Sequence, residues 1–127
     1  KHKRNGHLTY LGDAVYDDDY SALISSSKFS LGFLSKHFPE YHTTRTFEIL
    51  ACGTALLTER TPETLAFFKD DEVIFYKNKD ELIEKIKYYK NHDEELEHLI
   101  NKGREKVVKS GYDYHSILSK VLQTVLN

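Results

Sequence analysis

Several residue types that define protein classes are scarce in this 127-residue sequence. A single cysteine, Cys52, excludes an internal disulfide framework and a thiolate zinc cage. The 18 lysines and arginines are balanced by 20 aspartates and glutamates, so the basic excess of a duplex-binding protein is missing. No apolar run approaches the ~18 residues that would span a bilayer, and no signal-peptide pattern is present. We therefore expect no nucleic-acid partner, no membrane span and a cytoplasmic location.

Methionine is absent even at the first position, and residues 1–6 are basic and without periodic pattern. We expect residues 1–6 to be a linker or terminal stub and residues 7–127 to form a single domain that is a fragment of a longer chain. The length fits one domain of ~100–200 residues. The hydrophobic fraction of 39%, together with six glycines, is close to that of folded proteins and excludes a disordered tail.

Short apolar runs alternate with helical patterns along the chain. Four runs predict strands, at Leu8–Leu11, Phe29–Leu34, Ala55–Leu57 and Val73–Tyr76. The helical stretches have an acidic start at 17–19, an end at Gly53, and capping residues Asn78, Asp93 and Asp113. Strands separated by helices predict an α/β fold, with a parallel sheet of about four strands, helices on both faces and a helical C-terminus.

The loop at 35–44 and the helix after it carry the most chemistry, since ligands bind beyond the carboxyl ends of parallel strands. Thr43 and Thr44 stand where a helix should begin, and Arg45 follows. Free N–H groups at a helix start attract anions, and a guanidinium adds a charged fork for phosphate. Glu48, one turn further, is placed to accept bonds from a ligand hydroxyl. A diphosphate joined to a ribose would use both features.

A purely structural interpretation of these residues stays open. Glu48 would then complement the helix dipole, and Arg45 would pair with it on the surface. The other candidates carry less: the seven histidines show no metal-ligand spacing, and Cys52 has no histidine near it in the sequence. We expect no metal and no cofactor.

Residues 45–53 closely resemble the Arg-x-Phe-Glu-x-x-Ala-x-Gly segment of group 1 glycosyltransferases. The similarity is to the branch that includes spore-maturation-type proteins, and it covers roughly residues 7–126. It includes Tyr10-Leu11-Gly12, which looks like the strand and turn before the base-binding loop of that family. It also includes residues 68–76 with the helix start at 80–82, the pair Gly103-Arg104, and the closing helix.

The resemblance implies the C-terminal half of a GT-B glycosyltransferase, a Rossmann-like three-layer αβα domain that holds the nucleotide-diphosphate sugar. It implies that Glu48 binds the ribose hydroxyls and that Gly12 belongs to the nucleotide-sugar site, beside Arg45 and the threonines 43 and 44. Glu40 stands eight residues before Glu48, which is the Glu-x7-Glu spacing of retaining members. Glu40 is therefore the candidate near the donor sugar, and no other catalytic residue is assigned.

The resemblance also implies a hexosyltransferase-type enzyme in the parent protein, with an N-terminal GT-B domain as partner. Because a GT-B site is built between two halves, this half alone is expected to be inactive. An uncovered apolar surface near Leu8–Leu11 and along Tyr114–Val125 would then allow copies to associate. The alternatives are a non-catalytic interaction domain of the same fold and a receiver-like signalling domain, which Asp70 and Asp71 fit poorly because they precede a strand.

Overall fold

The structure is a computed structural model that describes residues 4, 5, 8–12, 14–35, 37, 38 and 42–126. Its strands are β1 (Arg4–Asn5), β2 (Leu8–Thr9), β3 (Phe29–Gly32), β4 (Ala55–Glu59) and β5 (Ile74–Tyr76). Its helices are α1 (Asp17–Ser25), α2 (Thr44–Ala51), α3 (Pro62–Phe67), α4 (Lys79–Lys90), α5 (Asp93–Lys109) and α6 (Tyr114–Leu126). Strands β3, β4 and β5 form a parallel sheet with β4 in the centre.

The predicted α/β class is confirmed, but the first predicted strand does not belong to the parallel sheet. Leu8 and Thr9 pair antiparallel with Asn5 and Arg4, so the parallel sheet of the described residues has three strands rather than about four. A short apolar run indicates an extended segment without indicating its partner. Pairing with the residues just before it closes a far shorter loop than pairing with a distant strand, and a shorter loop loses less conformational entropy.

One face of the sheet, here called the front face, is covered by α2 and the second half of α5. Successive strand residues point to opposite faces, which places Leu56 and Phe75 on the front. They pack in one buried cluster with Ile49 and Leu50 of α2 and Val107 of α5. Burial of such side chains stabilises the fold by about 1.5–3 kcal/mol each.

The opposite face, the back face, is covered by α4 and the first half of α5. Leu57 of β4 and Ile74 of β5 pack there with Leu96 and Leu99 of α5. Residues of α4 that are partly buried complete this layer: Leu82, Ile86 and Tyr89. Helices on both faces of a parallel sheet make the domain a three-layer, Rossmann-like fold.

Helix α5 passes from the back face to the front face at Gly103, which is buried. A Cβ atom built on Gly103 would lie 2.3 Å from the carbonyl oxygen of Glu72 and 2.8 Å from Cδ2 of Leu50. Glu72 lies just before β5, so the backbone of α5 crosses close to the amino end of the sheet. This close approach explains a glycine inside a helix, where it otherwise costs about 1 kcal/mol relative to alanine.

Local capping signals set the starts of α4 and α6 as the sequence predicts, but the prediction that Asp93 caps α5 is wrong, because His92 is the N-cap residue and no side chain caps this helix. The Asn78 side chain accepts a hydrogen bond from the Glu81 N–H at 2.9 Å, and the Asp113 side chain accepts one from the Ser116 N–H at 2.9 Å. Gly53, at φ 75°, follows the end of α2. These side-chain caps satisfy backbone N–H groups that have no partner inside the helix.

Helix α6 exposes a continuous apolar face. Its large hydrophobic side chains are exposed at Tyr114, Ile117, Leu118, Val121, Leu122, Val125 and Leu126. Tyr10 and Leu11 are exposed as well. The predicted apolar surface along Tyr114–Val125 is therefore present, and such patches on a small domain mark surfaces for partners.

Candidate functional site

Helix α2 begins at the carboxyl end of the parallel sheet, because it follows β3 and leads back to the start of β4. Thr43 is its N-cap residue, with extended backbone at φ −131° and ψ 168°. The Thr43 N–H donates to the Thr46 hydroxyl at 3.4 Å. The N–H groups of the first helical turn, from Thr44 onwards, are the ones that a helix leaves without an internal partner.

Three faces of α2 have different surroundings, because residues three and four apart share a helix face. The face that is buried against the sheet carries Thr46, Ile49 and Leu50. The face that lines an open cleft carries Thr44, Phe47, Glu48 and Ala51. Glu48 thus lines the cleft and is exposed.

The cleft, here called the α2 cleft, has a volume of about 870 Å³. Its near side consists of α2 and the two residues before it, His42 and Thr43. Its far side is formed by the end of α5 and the start of α6, with Val107, Val108, Tyr112, Asp113, Tyr114 and Ile117. A volume of this size lies within the ~300–1,000 Å³ of small-molecule sites.

An aromatic cluster at Phe47 joins the two sides of the α2 cleft. The ring centroid of Phe47 lies 4.9 Å from that of Tyr112, 5.5 Å from that of Phe67 and 5.8 Å from that of Phe68. Aromatic pairs at such distances add about 0.5–1.5 kcal/mol beyond the area that they bury. The cluster therefore fixes the separation between α2 and the segment at 112–117.

The third face of α2 turns towards α1. Burial raises the pKa of the Tyr20 phenol above its usual value, and the negative charge of Glu48 raises it further, whereas the positive charge of Arg45 opposes the rise. Tyr20 therefore lies near both side chains. Arg45 and Glu48 are three residues apart on α2, so they occupy adjoining parts of the helix surface at the border of the α2 cleft.

A histidine and a carboxylate from two different helix starts meet beside the α2 cleft. The His42 Nδ1 atom lies 2.8 Å from the Glu63 Oε1 atom. Glu63 belongs to the first turn of α3, which follows β4 at the same end of the sheet. The His42 ring also packs on Phe47 and Phe67, with centroids 5.9 Å and 5.0 Å apart.

The family model described as glycosyl transferase-like matches residues 2–123. The chain belongs to the glycosyl transferase-like family. This confirms the glycosyltransferase family that the segment at 45–53 predicts, and the parallel sheet flanked by helices is consistent with it. No curated protein and no solved structure is significantly similar to the chain. None of the helices in the described part of the chain is both long enough and apolar enough to span a membrane.

The structure of this glycosyl transferase-like domain brings together three of the residues that the sequence singles out. Thr43, Thr44 and Glu48 line the α2 cleft, and Arg45 lies on the neighbouring face of the same helix. Gly12, at φ 103°, lies in the loop after β2 and outside the lining of this cleft. Glu40 lies outside the residues that the structure describes.

Sequence reasoning missed the far side of the α2 cleft and the His42–Glu63 pair. Helical spacing identifies which residues share a helix face, but it does not tell which distant helix packs opposite. The signals in the sequence are Pro62 after Thr61, which starts α3 in front of Glu63, and the aromatic pair at 112 and 114 around the capping Asp113.

The two aspartates of the receiver-like alternative are engaged in ion pairs before β5. The Asp71 carboxylate accepts from Lys102 Nζ at 2.6 Å, and this bond lowers the pKa of Asp71. Asp70 pairs with Arg60. Across the described ranges, no group of three or more His, Cys, Asp or Glu side chains could hold a metal ion.

Proposed function

We propose that the chain is the donor-binding, C-terminal GT-B half of a glycosyltransferase and that the α2 cleft receives a nucleotide-diphosphate sugar. The proposal is carried by one observation: Thr43, Thr44 and Glu48 line a single open cleft, and the helix start that contributes the two threonines lies at the carboxyl end of the parallel sheet. In open α/β sheets this is where ligands bind. Membership of the glycosyl transferase-like family supplies the reaction class, the transfer of a sugar.

Each residue has a role that follows from its chemistry. The free N–H groups at the start of α2, beside Thr43 and Thr44, receive an oxygen of the diphosphate. The Arg45 guanidinium binds the phosphate from the neighbouring face. The exposed Glu48 carboxylate, one turn away from the phosphate, accepts hydrogen bonds from the ribose hydroxyls, and bonds to a charged acceptor are the stronger kind.

The remaining parts of the site complete this proposal. Gly12 belongs to the turn on the base side of the donor, and Glu40 lies near the donor sugar. The hexosyltransferase type and the N-terminal GT-B domain, which supplies the acceptor site, are part of the same proposal. Sugar transfer then requires both halves, since positioning the two reactants supplies much of the rate.

A non-catalytic interaction domain is the second candidate, and the exposed apolar face of α6 favours it. Such a face can cover an N-terminal domain of the same protein or a second copy of this chain. Binding of a nucleoside diphosphate distinguishes the two functions, because it is expected of a donor-binding domain and not of an interaction domain.

Variants of Glu48 and Arg45 test the proposed donor site. We expect Glu48→Ala to weaken a nucleoside and its diphosphate by about the same factor, roughly tenfold, because both ligands carry the ribose. We expect Arg45→Ala to weaken the diphosphate by roughly three- to tenfold and the nucleoside much less, because its target is the phosphate. Calorimetric or NMR titration of both ligands measures these changes.

Two exposed residues of α5 serve as matched controls for this experiment. Glu97→Ala and Arg104→Ala remove the same charges outside the α2 cleft, and each should leave both affinities unchanged. Unchanged nucleoside affinity in a folded Glu48→Ala protein would refute the ribose assignment. A wild-type chain that binds neither ligand would favour the interaction domain.

A further inference from the structure

The charge inside the α2 cleft does not match the donor that the cleft is proposed to hold. Among the described residues that line it, Glu48 and Asp113 are acidic and His42 is the only basic one. Arg45 lies on the neighbouring face of α2 rather than in the lining. A diphosphate that enters this cleft therefore meets two carboxylates and a single side chain that can become positive.

His42 is held in place by contacts on two sides. Its Nδ1 atom is hydrogen-bonded to the Glu63 carboxylate at 2.8 Å. Its ring packs against Phe47 of α2 and Phe67 of α3. A side chain that is already oriented loses less conformational freedom when it binds a ligand.

The bond to Glu63 also determines which ring nitrogen remains for a ligand. A carboxylate accepts hydrogen bonds, so the proton stays on Nδ1 and leaves Nε2 as the second functional atom. In the charged ring Nε2 carries an N–H group that can donate to a phosphate oxygen. In the neutral ring the same atom has only a lone pair, which repels the phosphate.

We infer that His42, oriented by Glu63, is a diphosphate contact of the donor and makes binding of the donor dependent on pH. This inference rests on the proposed function, since it assigns a further residue to the same site. The ligand class is an organic diphosphate, and the contact is a charged N–H donor on one of its oxygens.

Other charged and titratable groups surround His42, and the experiment has to separate their effects. Those on the packed elements and across the cleft are Glu63, Arg45, Glu48, Tyr112, Asp113 and Tyr114. The terminal phosphate of a nucleoside diphosphate also changes charge near pH 6. A comparison of wild type with a His42 variant isolates the imidazole together with its effect on Glu63, because the remaining groups and the phosphate are common to both proteins.

The test is a titration of the 127-residue chain with uridine, guanosine, adenosine and thymidine diphosphates and with the matching nucleosides, between about pH 5 and pH 8, where histidine changes charge. We expect His42→Gln to weaken the diphosphate roughly fivefold at the acidic end and little at the basic end. The affinity for the nucleoside should not change at either pH. His98→Gln, an exposed histidine of α5, is the matched control and should behave like wild type.

The outcomes separate this inference from the proposed function. If wild type binds diphosphate and nucleoside but His42→Gln keeps the wild-type pH profile for the diphosphate, the contact at His42 is refuted and the donor site stands. If wild type binds neither ligand, both proposals fail. Equal weakening of nucleoside and diphosphate by His42→Gln would show a structural role and would also refute the diphosphate contact. Thermal unfolding of each variant establishes that it is folded.

Discussion

Replacing Phe75 by alanine is expected to lower the free energy of unfolding by about 3–5 kcal/mol. Phe75 is 1% exposed and occupies the middle of β5, where it packs in the buried cluster of the front face. The Arg60 guanidinium lies 4.8 Å from the centroid of its ring and adds a cation–π interaction. Truncation removes the buried ring, leaves a cavity under α2 and ends the contact with Arg60. Chemical denaturation monitored by circular dichroism measures the change.

Phe33→Ala is the matched control for this core substitution. Phe33 follows β3 and is 67% exposed, so its truncation should change the free energy of unfolding by less than about 0.5 kcal/mol. If Phe75→Ala lowered the free energy of unfolding no more than Phe33→Ala does, β5 would not lie between the packed helices as described.

Replacing Gly103 by alanine is expected to destabilise the protein by about 2–3 kcal/mol. A new methyl group would lie 2.3 Å from the carbonyl oxygen of Glu72, and backbone cannot move aside as a flexible side chain can. Helix α5 would have to shift away from the amino end of the sheet. The sign of the change in the free energy of unfolding is informative, because replacing glycine by alanine at an exposed helix position stabilises a protein by about 1 kcal/mol.

An exposed position two residues earlier in α5 provides the control for Gly103→Ala. Asn101→Ala lies in the same helix and should be slightly stabilising, by a few tenths of a kcal/mol at most, because only helix propensity changes. Opposite signs for the two alanine variants in denaturant unfolding would support the close crossing of α5. A stabilising Gly103→Ala would contradict it.

Much of the fold could be predicted from the sequence, because the signals that define it are local. The capping residues Asn78 and Asp113 predict the starts of α4 and α6, and the acidic residues at 17–19 predict the start of α1. Apolar runs predict β3, β4 and β5 within two residues at either end. Each of these signals depends on atoms that are close together in the chain.

The sequence does not predict the fold correctly where a strand could pair with several partners or where an element is very short. The apolar run at Leu8–Leu11 predicts a strand of the parallel sheet, whereas Leu8 and Thr9 pair with the residues just before them. Helix α3 has only six residues, too few to show a helical period in the sequence. Its start is nevertheless marked by Thr61 before Pro62, a capping residue followed by a proline at the first helical position.

The candidate site likewise has one part that the sequence predicts and one part that it does not. One turn of α2 separates Thr44 and Arg45 from Glu48, and helical geometry alone brings them together. The opposite side of the cleft comes from a segment more than 60 residues later in the chain, with Tyr112 packed on Phe47. That contact depends on the path of α5 past Gly103, which no spacing in the sequence specifies.

The most direct test of the central claim is an NMR titration of ¹⁵N-labelled chain with the nucleoside diphosphates. If the α2 cleft is the donor site, the largest shifts will fall on the backbone amides of Thr43, Thr44 and Glu48, with a second group across the cleft at Tyr112. Amides of α4 lie on the back face and should not shift. Saturable shifts confined to α4 or another distant surface, or no shifts at millimolar ligand, would contradict the assignment of the α2 cleft to the nucleotide-diphosphate sugar.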